Sequence, residues 1–203
     1  MNRGKKIRDG GEYFVDVLAG LGVDMVISIP GAQTLSIWDA IGRRDDIRLV
    51  VPQSEWGGVD LAIRYGNEHG RPAVVINTVG PGCALELPGS YRAQQENVPV
   101  LFVTPAQPKF KRNFIEKVFL GLEQEKLLDP FVKVSRRVRQ VSQMARAVRD
   151  VHAATMRKPA GPGRVWVEFP VLFGVVGEQS GNVIDTERDV LLSLRPLKSV
   201  SDE

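Results

Sequence analysis

Glu55 stands where an apolar run, Val50-Val51-Pro52, passes through Gln53 and Ser54 into a segment with Val59, Ala62 and Tyr65 at helical spacing. A carboxylate at a strand-to-helix junction lies at the carboxyl edge of an α/β sheet, where such folds place ligands, and it can hold or move a proton there. It can equally be a first-turn acid that complements the helix dipole. The stretch alone leaves both readings open. A second candidate is the turn Thr78-Val79-Gly80-Pro81-Gly82, which follows an apolar run at 72–77. Backbone amides between glycines can cradle an anion, or the glycines can simply permit unusual backbone angles. No GxGxxG follows the first strand and no GxxxxGK[ST] occurs, which argues against a dinucleotide Rossmann domain and a nucleoside triphosphatase. The remaining nucleophiles lack partners. Ser54 is in no GxSxG elbow, and Cys83, at a helix start that can lower a thiol pKa, has no histidine nearby and reads as a small residue in a tight turn. His69, in a polar loop, and His152, on a helix, read as surface or packing residues.

Composition narrows the classes further. One cysteine and two histidines supply neither a disulfide framework nor a zinc or iron–sulfur ligand set, so no metal ligands are expected in this chain. The net charge of +3 comes from 27 basic against 24 acidic residues. The bases gather at Lys109, Lys111 and Arg112 and at Arg136, Arg137 and Arg139, which read as solvated surface. Aromatic residues do not interleave them in the way a single-strand binding groove would require, and no nucleic-acid motif accompanies them, so no nucleic-acid partner is expected. Residues 1–10 lack the apolar core of a signal peptide and no run approaches eighteen apolar residues, which predicts a cytoplasmic protein without a membrane partner.

The elements that must position these residues alternate. Helices are predicted over 11–21, 35–43, from Glu55 to a polar loop at 66–71, within 85–95, over 123–128, and over a long amphipathic stretch capped by Ser142. Strands are predicted at 25–29, 47–51, 72–77, 98–104, 131–134 and 165–169, the last closed by Pro170, with a surface excursion at 105–116. This pattern predicts an α/β fold, a doubly wound, mostly parallel six-stranded sheet with helices on both faces. The expected organisation is a basic extension at 1–10, one domain at 11–174 and a tail at 175–203, with one short helix near 190–194.

In this order the segments resemble the pyrimidine-binding domain that opens acetolactate synthase and related thiamine-diphosphate decarboxylases and carboligases. GEYFVDVLAGLGVDMVISIPGAQTLSIWDAI is similar to that family's opening helix, strand, Pro-Gly turn and second helix. VVPQSEWGGVDLAIRYG resembles its segment with the activating glutamate, and NTVGPGCALELPGSYRAQQENVPVLFVT its Ser-Gly-Pro-Gly turn, helix and next strand. PFVKVSRRV and GRVWVEFPV resemble its closing strands.

The resemblance implies the pyrimidine-binding fold and thiamine diphosphate as cofactor. It implies that Glu55 hydrogen-bonds the aminopyrimidine ring nitrogen, favouring the imino tautomer that deprotonates the thiazolium carbon. That role calls for an apolar setting, with which Val51, Trp56, Gly57 and Gly58 are compatible. Pro30, Gly31, Thr78, Gly80, Pro81 and Gly82 would line the cofactor site, and Gln107 would face the reacting centre. There are departures. VTPAQ carries one residue more than the family's Thr-Gly-Gln, Leu85 replaces a frequent asparagine, and Ser54 a frequent histidine. No Gly-Asp-Gly occurs, so magnesium and the diphosphate are expected on a second subunit carrying the diphosphate-binding domain, in an α2β2 heterotetramer. The initial methionine and polar end lead us to expect a separate subunit, inactive alone. The substrate expected is a 2-oxo acid or related acyl donor, decarboxylated or carboligated. A sulfopyruvate or phosphonopyruvate decarboxylase subunit, with Lys109, Lys111 and Arg112 attracting a dianion, is one alternative; a non-catalytic regulatory or binding module is another.

Overall fold

Successive residues of the central strands are buried towards opposite faces, which only a sheet covered on both sides allows. The computed structural model describes residues 9–107 and 120–173. Its strands are β1 (Met25–Ser28), β2 (Arg48–Val50), β3 (Ala73–Ile76), β4 (Val100–Ala106), β5 (Val134–Val138) and β6 (Gly163–Glu168). They form one sheet in the order β2-β1-β3-β4-β6-β5, and every pairing is parallel. The helices are α1 (Gly10–Gly20), α2 (Leu35–Ile41), α3 (Glu55–His69), α4 (Pro81–Ala84), α5 (Leu87–Gln95), α6 (Gln124–Leu128), α7 (Val141–Met156) and α8 (Phe169–Phe173). On one face Val26, Val74, Ile76, Leu101, Val103, Val165 and Val167 pack against α1, α2 and α7. On the other, Ile27, Val75, Val100 and Phe102 pack against Val59, Ala62 and Ile63 of α3 and Ala93 of α5. The doubly wound α/β sheet expected from the alternation is the observed fold.

Several boundaries differ, each for a tertiary reason. α3 runs through Gly66 to His69 and stops at Gly70, whose φ of 65° suits a left-handed cap. Gly66 is no loop residue: a Cβ there would lie 2.6 Å from the Pro99 carbonyl oxygen, so the glycine lets the helix approach the entry to β4. The fifth strand is Val134–Val138 rather than 131–134, because Asp129–Phe131 forms a 3-10 turn and Arg136 and Arg137 lie within the strand. Gln140, not Ser142, precedes α7, and Pro170 sits inside the short α8 after β6. The predicted tail with its helix, Lys109, Lys111, Arg112 and residues 1–8 lie outside the described residues. No helix of the described residues is long and apolar enough to cross a membrane.

His152 of α7 is a packing residue, 7% exposed, and burial pushes its imidazole down to about 4. In the unfolded chain that group titrates near its ordinary value of 6.5. Between these values the unfolded chain binds a proton that the folded chain does not, so stability falls as the pH drops from 6.5 towards 4. Thermal melts should show roughly 2 to 3 kcal/mol of acid destabilisation by pH 4.5 that a His152→Gln variant lacks, after subtraction of the pH dependence common to both. Equal acid sensitivity in the two proteins would contradict this role for His152.

Candidate functional site

The chain leaves β1 to build β2 on one side and later β3 on the other, so the strand order reverses between β1 and β3. In open parallel sheets the crevice at such a point, beyond the carboxyl ends of the strands, is where ligands sit. Pro30 and Gly31 follow β1, and the 78–82 turn follows β3, so the fold brings these two segments together. They touch: a Cβ on Gly31 would lie 2.7 Å from the Thr78 Cβ. Thr78 Oγ1 donates to Gln33 Oε1 at 2.6 Å, and Gly31 is tied to Thr34, whose Oγ1 donates to the Gly31 carbonyl at 3.0 Å. Behind them Trp38 Nε1 donates to Ser28 Oγ at 2.9 Å, and that hydroxyl donates to the Ile76 carbonyl at 2.6 Å, holding α2 against the ends of β1 and β3. Pro30 is exposed at the rim.

Glu55 enters this crevice from the end of β2. Ser54 adopts extended backbone and caps α3 by accepting the Gly57 N–H at 3.3 Å, which makes Glu55 the first residue of the helix. A Cβ on Gly82 would come within 3.4 Å of Glu55 Oε1, so the carboxylate lies against a stretch of the turn that carries no side chain. Glu55 is partly buried, and its carboxylate makes no hydrogen bond or ion pair among the described residues. Its expected apolar surroundings are only partly present: Val51 and Trp56 are 57% and 54% exposed and project to solvent. A partly buried acid without a protein partner among the described residues, beside the bare backbone of Gly82, fits a planar, nitrogen-bearing ring as its ligand.

The turn itself is held from beneath by residues that the local pattern did not single out. Gly80 has a φ of 68°, and a Cβ there would meet the Leu120 carbonyl oxygen at 2.6 Å. Its N–H donates to Gln124 Oε1 at 3.2 Å, the Cys83 thiol donates to the same oxygen at 3.3 Å, and Gln124 Nε2 donates to the Pro105 carbonyl at 2.7 Å. Cys83 is fully buried, and burial pushes its thiol up to about 12. Position at a helix start does not lower it, because the missing solvent outweighs the helix field. On the other side of the turn, Asn77 Nδ2 donates to Glu86 Oε1 at 2.9 Å, and Arg164 donates to Glu86 Oε2 at 2.6 Å. Burial pushes the Glu86 carboxyl up against the opposing pull of Arg164 and Asn77, and the charge of Glu55 adds a smaller upward push. A lone arginine flanked by the apolar residues of a strand, in GRVWVE, was the available signal for this pair.

Gln107 lies apart, just beyond β4, in a cleft of about 140 Å³ lined by Leu122, Gln124, Arg137 and residues of α6. Its Oε1 is buried without a partner among the described residues, while its carbonyl accepts from Arg137 at 2.6 Å. Arg137, read as solvated, is instead largely buried beside Glu125 and Glu168. Gln124 links this cleft to the turn, since it bonds Pro105 two residues before Gln107. His69, expected in a loop, is the last residue of α3 and stacks on Tyr65 with ring centroids 4.2 Å apart.

A parallel sheet with a carboxylate and a glycine turn at its switch point defines the class: an α/β cofactor-binding domain. The match is specific. The family model for the thiamine pyrophosphate enzyme, N-terminal TPP binding domain, covers residues 8–127, more than half of the chain, and the chain belongs to this family. It is similar to acetolactate synthase 2, chloroplastic, of Brassica napus, with 29% identity over 163 residues, 80% of this chain and 25% of that protein. Similarity to the acetolactate synthase of Bacillus subtilis (strain 168) is 29% over 161 residues, 79% of this chain and 27% of that protein. For the acetolactate synthase isozyme 1 large subunit of Escherichia coli (strain K12) it is 25% over 161 residues, 79% of this chain and 28% of that protein. The chain thus spans about a quarter of the length of these relatives.

Proposed function

We propose that this chain is the pyrimidine-binding subunit of a two-subunit thiamine-diphosphate enzyme that decarboxylates or carboligates a 2-oxo acid or related acyl donor. The observation that carries this reading is Glu55, a partly buried carboxylate with no protein partner among the described residues, set against Gly82 at the switch point. Thiamine diphosphate would supply the chemistry that side chains lack: a thiazolium carbon that, once deprotonated, can attack a carbonyl, in a ring that can take up the electron pair left when the carboxylate departs as carbon dioxide. The chain's residues bind and orient. Glu55 would hold a proton at a carboxyl oxygen and exchange it with the pyrimidine ring nitrogen. Gly80, Pro81 and Gly82, with Thr78 and the Pro30-Gly31 corner, offer a surface of small and compact residues for the ring; Gln107, which the resemblance assigns to the acyl donor, lies apart in the cleft beyond β4. Magnesium and the diphosphate belong to a companion chain, most simply in an α2β2 heterotetramer, so the chain alone is inactive.

Reconstitution tests this. The chain is combined with a companion that carries Gly-Asp-Gly and a downstream asparagine, then given thiamine diphosphate, magnesium and a panel of 2-oxo acids. Turnover is expected only with both chains present. Assembly without turnover on any member of the panel would favour a regulatory module, and failure to assemble with any such companion would overturn the two-subunit reading.

A further inference from the structure

Below the 78–82 turn lies a charged pair that the proton chemistry of Glu55 does not use. Glu86 and Arg164 are both 0% exposed. The guanidinium donates to Glu86 Oε2 and Thr104 Oγ1, each at 2.6 Å, and to Ser90 Oγ at 3.3 Å. It also lies over the rings of Phe102 and Trp166, 4.5 and 5.0 Å from their centroids. Its Nε is buried without a hydrogen-bond partner among the described residues. A buried pair of this kind is a weak source of stability, because apolar residues of similar volume serve a core as well or better. The unpartnered Nε makes it weaker still.

Its placement suggests another use. Asn77 is the residue at which β3 ends and the turn begins, and it is itself 1% exposed. Glu86 follows α4, the helix that the turn opens into, and precedes α5. The Asn77–Glu86 hydrogen bond therefore closes a loop of chain that contains the whole turn, and Arg164 of β6 anchors that closure to the sheet through β4. Gln124 holds the middle of the same loop at Gly80.

We propose that Glu86 is a positioning residue for the cofactor turn: Arg164 fixes its carboxylate, and Glu86 Oε1, by accepting from Asn77, fixes the geometry with which residues 78–82 face the pyrimidine ring. The inference rests on the reading that this turn meets that ring, but the closure itself is a property of the chain.

Two double variants of the full chain separate positioning from bulk stability. E86Q/R164M removes both charges and keeps an oxygen to accept from Asn77. E86M/R164M removes both charges and the acceptor. Hydrogen exchange of the turn, measured on the chain without cofactor, should be about tenfold faster in E86M/R164M than in E86Q/R164M, with the rest of the sheet protected alike. In the reconstituted enzyme the KM for thiamine diphosphate should be about tenfold higher in E86M/R164M than in E86Q/R164M, with a smaller difference in kcat at saturating cofactor. Asn77→Ala, which leaves the charged pair intact, should loosen the turn as E86M/R164M does, and it answers the question if a double variant fails to fold. Equal exchange in all three variants, or acceleration spread evenly over the chain, overturns the proposal. An exchange contrast without a KM contrast would retain the closure and remove its link to the cofactor, a result independent of whether Glu55 acts on the ring.

Discussion

Glu55→Gln should slow exchange of the thiazolium proton of thiamine diphosphate in the reconstituted enzyme by two to four orders of magnitude, roughly the range that a positioned proton-transfer group contributes. Glutamine keeps the size and planarity of the side chain and can still donate a hydrogen bond to the ring. It cannot give up and recover a proton in the working pH range. The fold should be indifferent to the change, since the cap on α3 is supplied by Ser54 to the Gly57 N–H and Glu55 has no protein partner among the described residues. Loss of a first-turn acid costs about 0.3 to 1 kcal/mol. Melting temperatures close to the parent together with a collapsed exchange rate are thus the expected signature. An unchanged exchange rate would remove the role assigned to Glu55 and leave it a dipole partner.

Arg164→Met alone should be the most destabilising single change at the site, by about 3 to 5 kcal/mol, which is the typical cost of leaving one partner of a buried pair uncompensated. The Glu86 carboxylate would remain fully buried with Asn77 as its only hydrogen-bonded partner among those described here. For a domain of this size that corresponds to a fall in melting temperature of roughly 10 °C. The pH dependence has a definite sign. Burial already pushes the Glu86 carboxyl up, and removing Arg164 removes the largest opposing pull. A carboxyl raised in the folded state binds its proton there more readily than in the unfolded chain, so stability declines as the pH rises from the unfolded carboxyl range through the folded value. The gap between variant and parent should therefore narrow at pH 5 and widen at pH 8. A gap that is small and independent of pH would show that the guanidinium contributes no more than packing.

Much of this arrangement could be read along the chain because it is local. The helix and strand order, the Pro-Gly corner after β1, the glycine turn after β3 and the carboxylate opening α3 each lie within a few residues and carry their own turn or periodicity signal. What escaped depends on partners far away in sequence. Gly66 looked like a loop residue although Pro99 lies against it, and Gln124 looked like one residue of a short helix although its amide bridges Gly80 and Pro105. Glu86 and Arg164 are 78 positions apart, and beyond the apolar neighbours of Arg164 in GRVWVE nothing local distinguishes either from a solvated charge. Val51 and Trp56 show the opposite error: their apolar character suggested burial around Glu55, yet both face solvent in this chain.

Cys83 is the single thiol of the protein. With its sulfur enclosed between the Gly80 carbonyl and Gln124, and its acidity suppressed to about 12, almost none of it is thiolate at neutral pH. An alkylating reagent can reach it only when the chain segment above it lifts away from Gln124. The rate of thiol labelling is therefore a stopwatch for that opening, already installed in the unmodified molecule and free of any competing thiol signal.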